Sequence, residues 1–76
     1  MSSAGVVVHI NEELNQVNRE ELSQKVGELD GVLSTNLEEQ RPHLMIVDYD
    51  PSLTRSQDVL SEVNNAGVHA QLVGWV

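Results

Sequence analysis

The sequence predicts an α+β domain, a four-stranded antiparallel sheet with two helices on one face. Three observations predict it. Short aliphatic, β-branched runs and stretches of helical periodicity follow one another in the order β-α-β-β-α-β. Each helical stretch is opened by capping chemistry and closed by a glycine. No connection within the 76 residues is long enough to host a second domain, so residues 1–76 are expected to form one unit.

Gly5 to Ile10, GVVVHI, is a β-branched run and reads as the first strand. The polar stretch after it, NEELNQV, suits a loop. Asn18-Arg-Glu-Glu21 has the form of a capping box: the Asn18 side chain accepts from a first-turn N–H, and Glu21 reaches back to the N–H of Asn18. Leu22, Val26 and Leu29 follow at i, i+4, i+7, one face of a helix. Asp30-Gly31 stops it, because Gly31 takes the left-handed conformation without steric cost. Gly27 lies inside this helix at a cost of up to about 1 kcal/mol. Close packing of that turn on the sheet would account for it.

Val32 to Leu37 is the second strand. Glu38 to Pro42 is a turn, since Pro42 has no N–H for a central ladder. His43 to Tyr49, HLMIVDY, is the strongest strand, and Asp50-Pro51-Ser52 breaks it. Thr54-Arg-Ser-Gln57 forms a second capping box, opening a helix with Val59, Leu60, Val63 and Ala66 on its buried face. Asn64 to Gly67 ends that helix, and Val68 to Val76 is the last strand. The natural solution for this order is the split β-α-β or ferredoxin-like sandwich, with strand order 4-1-3-2. A different α+β arrangement of the same elements is the alternative. In the ferredoxin-like topology three connections share one end: the loop after strand one, the turn between strands two and three, and the link into strand four.

Composition narrows the function. Twelve acidic and four basic residues give a formal net charge of −8. Such a surface repels phosphate backbones, so nucleic acid is not an expected partner, whereas a basic protein is. Without cysteine there is no disulfide, thiolate metal site or cysteine nucleophile. No window approaches the roughly 18 apolar residues of a membrane span. The first residues lack the pattern of a signal peptide, and a cytoplasmic setting is the expectation. No nucleophile–base pair or Gly-rich phosphate loop stands out. An enzyme is therefore not expected, and no cofactor is implied.

Three segments carry a resemblance: Gly27-Glu-Leu-Asp-Gly-Val32, Val47-Asp-Tyr-Asp-Pro51 and Val63-Asn-Asn-Ala-Gly67. In this order and spacing they resemble the heavy-metal-associated domain family, which includes copper metallochaperones and N-terminal modules of metal-pumping ATPases. The resemblance covers nearly the whole chain. It implies a Gly-Met-x-Cys-x-x-Cys motif in the loop after strand one, where this chain has Glu12-Glu-Leu-Asn-Gln-Val-Asn18. The cysteines correspond to Asn15 and Asn18, and the Gly and Met to Glu12 and Glu13. Cu(I) is soft and prefers thiolates, while an amide oxygen is a hard, weak ligand. The implied soft-metal chemistry is thus vacated at Asn15 and Asn18, and the expected role of Asn18 is the helix cap.

Two features remain. His9, His43 and His69 all fall toward the shared loop end, with Glu12, Glu13 and Glu39 nearby. Imidazoles and carboxylates suit Zn(II), Ni(II) or Cu(II). The second feature is the sheet face that the helices leave open. The register of the family puts Met45, Val47 and Tyr49 under the helices, with Val68, Ala70 and Leu72 of the last strand. Leu44 and Ile46 then face outward beside Val7 and His9, joined by Val73 and Trp75. An antiparallel sheet normally shows polar residues on a solvated side, so this apolar set predicts a covered face. A one-residue slip would exchange the two faces.

The leading expectation is a non-enzymatic protein-interaction or regulatory module, contacting a protein partner or a second copy through the open face, the acidic loop end, or both. The alternative is non-thiolate metal binding or handling through the histidines and carboxylates. A small ligand sensor is a third possibility, by fold analogy alone.

Overall fold

A computed structural model describes residues 3–37, 40–41 and 43–75. Six elements follow in the predicted order: β1 (Ala4–Ile10), α1 (Gln16–Gly27), β2 (Val32–Leu37), β3 (Leu44–Tyr49), α2 (Ser56–Asn65) and β4 (Ala70–Trp75). The sheet order is β2-β3-β1-β4, and every adjacent pair is antiparallel. This is the predicted ferredoxin-like topology. Among the described residues no helix is long and apolar enough to cross a membrane.

Alternation along β1 and β3 builds the core. Val6, Val8 and Ile10 of β1 and Met45, Val47 and Tyr49 of β3 are buried, and they pack with Leu22 and Val26 of α1 and Val59 and Val63 of α2. With no Phe in the chain, close packing rests mainly on Val, Leu and Ile, with Met45 and Tyr49 the larger exceptions. Leu29, Leu60, Ala66, Ala70 and Leu72 pack against the rim of this cluster.

Both helix starts differ from the sequence expectation. Helix α1 begins one turn earlier, with Asn15 at the N-cap: its Oδ1 accepts the Asn18 N–H at 2.8 Å, and its carbonyl accepts the Arg19 N–H at 2.9 Å. Asn18 is therefore a first-turn donor rather than the cap. Two asparagines three residues apart both have the right chemistry, and the earlier one adds a turn of backbone hydrogen bonds. At α2 the N-cap position is Arg55, and it makes no side-chain cap bond. Thr54 is buried instead, with its Cβ and Cγ2 against Gly31. Packing there takes precedence over capping, and Asp58 in the first turn complements the positive end of the helix.

The stops match expectation. Gly31 and Gly67 are left-handed, at φ +96° and +92°. Gly27 closes α1 in open space, with nothing within 4 Å of where a Cβ would stand, so close packing on the sheet is not its reason. His43 and Val68–His69 lie outside the strands they were expected to start. The predicted turn over Glu38 to Pro42 and the end of the last strand at Val76 fall partly outside the described residues, as does Glu39.

Candidate functional site

The loop end is built around the last residues of β1. The Ile10 N–H donates to the His43 carbonyl and the Asn11 N–H to the His69 carbonyl, each at 2.8 Å, so the segments leading into β3 and β4 flank the exit of β1. This brings all three histidines to one end. Their side chains then separate. His43 Nδ1 lies 2.8 Å from the Ile10 carbonyl. A carbonyl only accepts, so Nδ1 is the donor in this contact. His9 follows on the neighbouring strand, its ring centroid 5.9 Å from that of His43 and the planes 20° apart. His9 Nδ1 is buried without a hydrogen-bond partner.

His69 belongs to a different arrangement. The Glu12 carboxylate accepts from the His69 backbone N–H at 2.8 Å and from Nδ1 at 2.5 Å. These bonds hold the Glu12 carboxyl below the usual glutamate range, the side-chain bond contributing most. They also pin the β1–α1 loop to the entrance of β4, across 57 residues of sequence. Nothing local in the sequence signals this tie; the topology alone brings the two residues together. Glu13 is exposed. Among the described residues no group of three or more His, Asp or Glu side chains is placed to share a metal ion, so the structure does not assemble His9, His43 and His69 into one donor set.

Asn15 and Asn18 are exposed and bonded to each other as donor and acceptor of the cap. Beside them runs a groove of about 470 Å³ lined by Leu14, Leu22, Ala66 and Val68 with Glu12, Asn18, Glu21 and Lys25. No nucleophile–base pair lines it.

The open sheet face is fixed by register. Val7 pairs with Ile46, His9 with Leu44, Ile46 with Asn36, and Asp48 with Ser34. Paired residues share a face, so Val7, Leu44 and Ile46 form a half-buried aliphatic centre, with Asn36, Ser34, Asp48, His9 and Gln71 around it. Ser34 Oγ donates to Asp48 Oδ2 at 3.0 Å, closing the polar side of the patch.

Trp75 does not join that face. In β4, Leu72 pairs with Val8 and Gly74 with Val7, which leaves Val73 as the extra residue of a β-bulge. One extra residue reverses the parity beyond it. Gly74 therefore occupies the row of Val7, and Trp75 lies opposite Val6, in the row of the helix-covered face, yet stays 68% exposed. Val73 is exposed at the bulge. A second bulge in β2, between Val32 and Ser34, leaves Leu33 exposed, a residue the sequence reading did not single out.

No protein-family model matches the chain, and no curated protein matches it in sequence. Solved structures do match. A copper-binding domain of HMA7, a P-type ATPase, superposes with a TM-score of 0.87 at 17% identity, over 95% of this chain and 96% of that one. The chain has the heavy-metal-associated domain fold. The N-terminal domain of a potential copper-translocating P-type ATPase from Bacillus subtilis, solved with Cu(I), is similar at TM-score 0.87 and 15% identity, over 99% of this chain and 92% of that chain. Oxidised MerP from Ralstonia metallidurans gives 0.83 and 13%, over 93% and 97%. Here the heavy-metal-associated fold carries no cysteine at all.

Proposed function

We propose that this domain is a non-enzymatic protein-interaction module, a heavy-metal-associated scaffold that has given up thiolate metal binding. The observation that carries the reading is the bond between Asn15 and Asn18. The two positions matched to the family's metal ligands serve to start α1, and neither amide is a competitive ligand for a soft ion. What the scaffold still offers is surface. Val7, Leu44 and Ile46 make an aliphatic centre on a face that no helix covers, and Val73 adds to its margin. The occupant is a protein, either a second copy or a partner, and the charge of −8 favours a basic one. The setting is cytoplasmic.

The test uses the wild-type domain and an Ile46→Asp variant, compared by sedimentation equilibrium and as baits for affinity capture from the source cells. Self-association, or a retained set of partners, is expected for the wild type and should be lost in the variant. Identical behaviour of the two proteins would sink the use of this face. High-affinity Cu(I) binding by the wild type would sink the vacated-site reading.

A further inference from the structure

We infer that the open sheet face is the contact between two copies of this chain, packed face to face with their helices outward. This rests on the interaction reading above and chooses between the two occupants it allows, a second copy and a different protein. Charge makes the choice. The rows set by strand pairing run through Gly5, Val7 and His9 of β1 and Leu44, Ile46 and Asp48 of β3. Ser34 and Asn36 complete them on the β2 side, and Gln71 and Gly74 on the β4 side. With histidine neutral, Asp48 is the one charged side chain in these rows. Among the described residues the other carboxylates lie on α1 and α2, as Glu20, Glu21, Asp58 and Glu62 do, or in the connections. A basic partner gains from those carboxylates and finds a single one on this face. A second copy is repelled by them, and this face is where it meets fewest.

Symmetry is the second step. A two-fold pair uses the same patch on both copies, so the patch must be complementary to itself. Val7 pairs with Ile46 in the two central strands, and Val73, 51% exposed, adjoins them at the bulge. Neutral polar side chains border this apolar centre. A centre depleted of charge inside a polar rim is the anatomy of a protein interface. Asp48 lies toward one end of the rows, opposite Gly5, and His9 toward the other, opposite Leu44. A two-fold axis that crosses the strands between the two sheets therefore sends the two Asp48 carboxylates to opposite ends of the pair, where they do not meet. Stacked sheets stand about 10 Å apart, and the helices lie beyond them. The helix carboxylates of the two copies are thus separated by more than the Debye length of about 10 Å at 0.1 M salt. Edge-to-edge pairing is the other way to join two sheets. Both edge strands resist it, since β2 and β4 each carry a bulge. Four strands about 4.8 Å apart make a small face, so the pair is reversible rather than obligate.

The experiment is sedimentation equilibrium of the whole domain over a range of concentrations at about 0.01 M and 0.1 M NaCl, with amide resonances followed on dilution. Wild type, Ile46→Asp and Asn36→Glu are compared. A reversible monomer–dimer equilibrium is expected in the wild type. It should strengthen with salt, which screens the repulsion between two acidic copies, and its dilution shifts should centre on Val7, Leu44 and Ile46. Each substitution enters a symmetric interface twice. Ile46→Asp buries two carboxylates and should weaken association by about a hundredfold or more. Asn36→Glu, at an exposed position outside the core, should weaken it by about tenfold. Amide spectra report whether the variants fold, and the wild-type data decide the matter even if Ile46→Asp does not. A monomer at the highest concentration in both salts, association that weakens with salt, or dilution shifts centred on the helices would overturn the second copy. If such a monomer still captures a partner that Ile46→Asp loses, the interaction reading stands without the dimer. If its captured set is unchanged in Ile46→Asp, both fall.

Discussion

Glu12 shows how a single exposed carboxylate ties two distant segments. It accepts the backbone N–H and Nδ1 of His69, and both bonds favour its ionised form. Asp50 behaves in the same way on a smaller loop, accepting from the Ser52 hydroxyl at 2.7 Å and the Ser52 N–H at 2.9 Å, which lower its carboxyl as well. A carboxyl whose value is depressed on folding adds stability above its unfolded value, and that stability disappears as pH falls through the folded value. The domain should therefore lose stability on acidification below the ordinary Asp and Glu range. In Glu12→Gln one of these titrations is absent, so its urea midpoint should fall less steeply with decreasing pH than that of the wild type. Midpoints measured from neutral pH into the acid limb check this; parallel curves would mean that the Glu12–His69 bonds do not persist in solution.

At the scale of the element, the glycines at the end of α1 and just beyond it make opposite predictions. Gly27 has an ordinary helical setting with open space around it. Gly27→Ala should stabilise the domain by about 0.4–1 kcal/mol, mainly by restricting the unfolded chain. Gly31 sits at φ +96°, and a Cβ there would stand 2.8 Å from Leu53 Cβ. Gly31→Ala adds a steric clash to an unfavourable backbone conformation and should destabilise by at least about 1–3 kcal/mol. Urea denaturation of the two variants reads both signs. These stops were legible in the sequence because glycine is nearly alone in adopting left-handed backbone. So were the buried sets of β1 and β3, since period-two alternation survives wherever one face must be covered. The starts were less legible: Asn15 and Asn18 are equivalent caps by composition, and the added turn of backbone hydrogen bonds that favours Asn15 leaves no mark in residue type. Thr54 reads as a cap until its side chain is seen to be buried beside Gly31. The bulge at Val73 left no mark in the sequence, and it alone moves Trp75 out of the row of Val7. The pairing of His43 with Ile10 and of His69 with Glu12 depends on long-range register, which no local pattern encodes.

For the whole molecule the governing quantity is charge over a short span. Four basic residues cannot pair with twelve acidic ones, and the fold holds the surplus within a radius of gyration of 11.2 Å. The Debye length is about 30 Å at 0.01 M salt but about 10 Å at 0.1 M. At low salt nearly every surplus carboxylate therefore interacts with every other; at 0.1 M the repulsion across the molecule is largely screened. Unfolding spreads the same charges apart, so repulsion weighs against the folded state. Adding NaCl from low ionic strength should raise the thermal midpoint, and a gain of 1 kcal/mol would appear as about 4–8 °C in a domain of this size. A midpoint that stayed level or fell would show that local attractions such as Glu12–His69 outweigh the surplus. Binding of a basic partner carries the opposite sign, because the same salt screens attraction between the two molecules. Stability should thus rise, and affinity for such a partner fall, over one salt titration of one protein. A partner whose affinity is indifferent to NaCl would instead be held by the Val7, Leu44 and Ile46 centre of the open face.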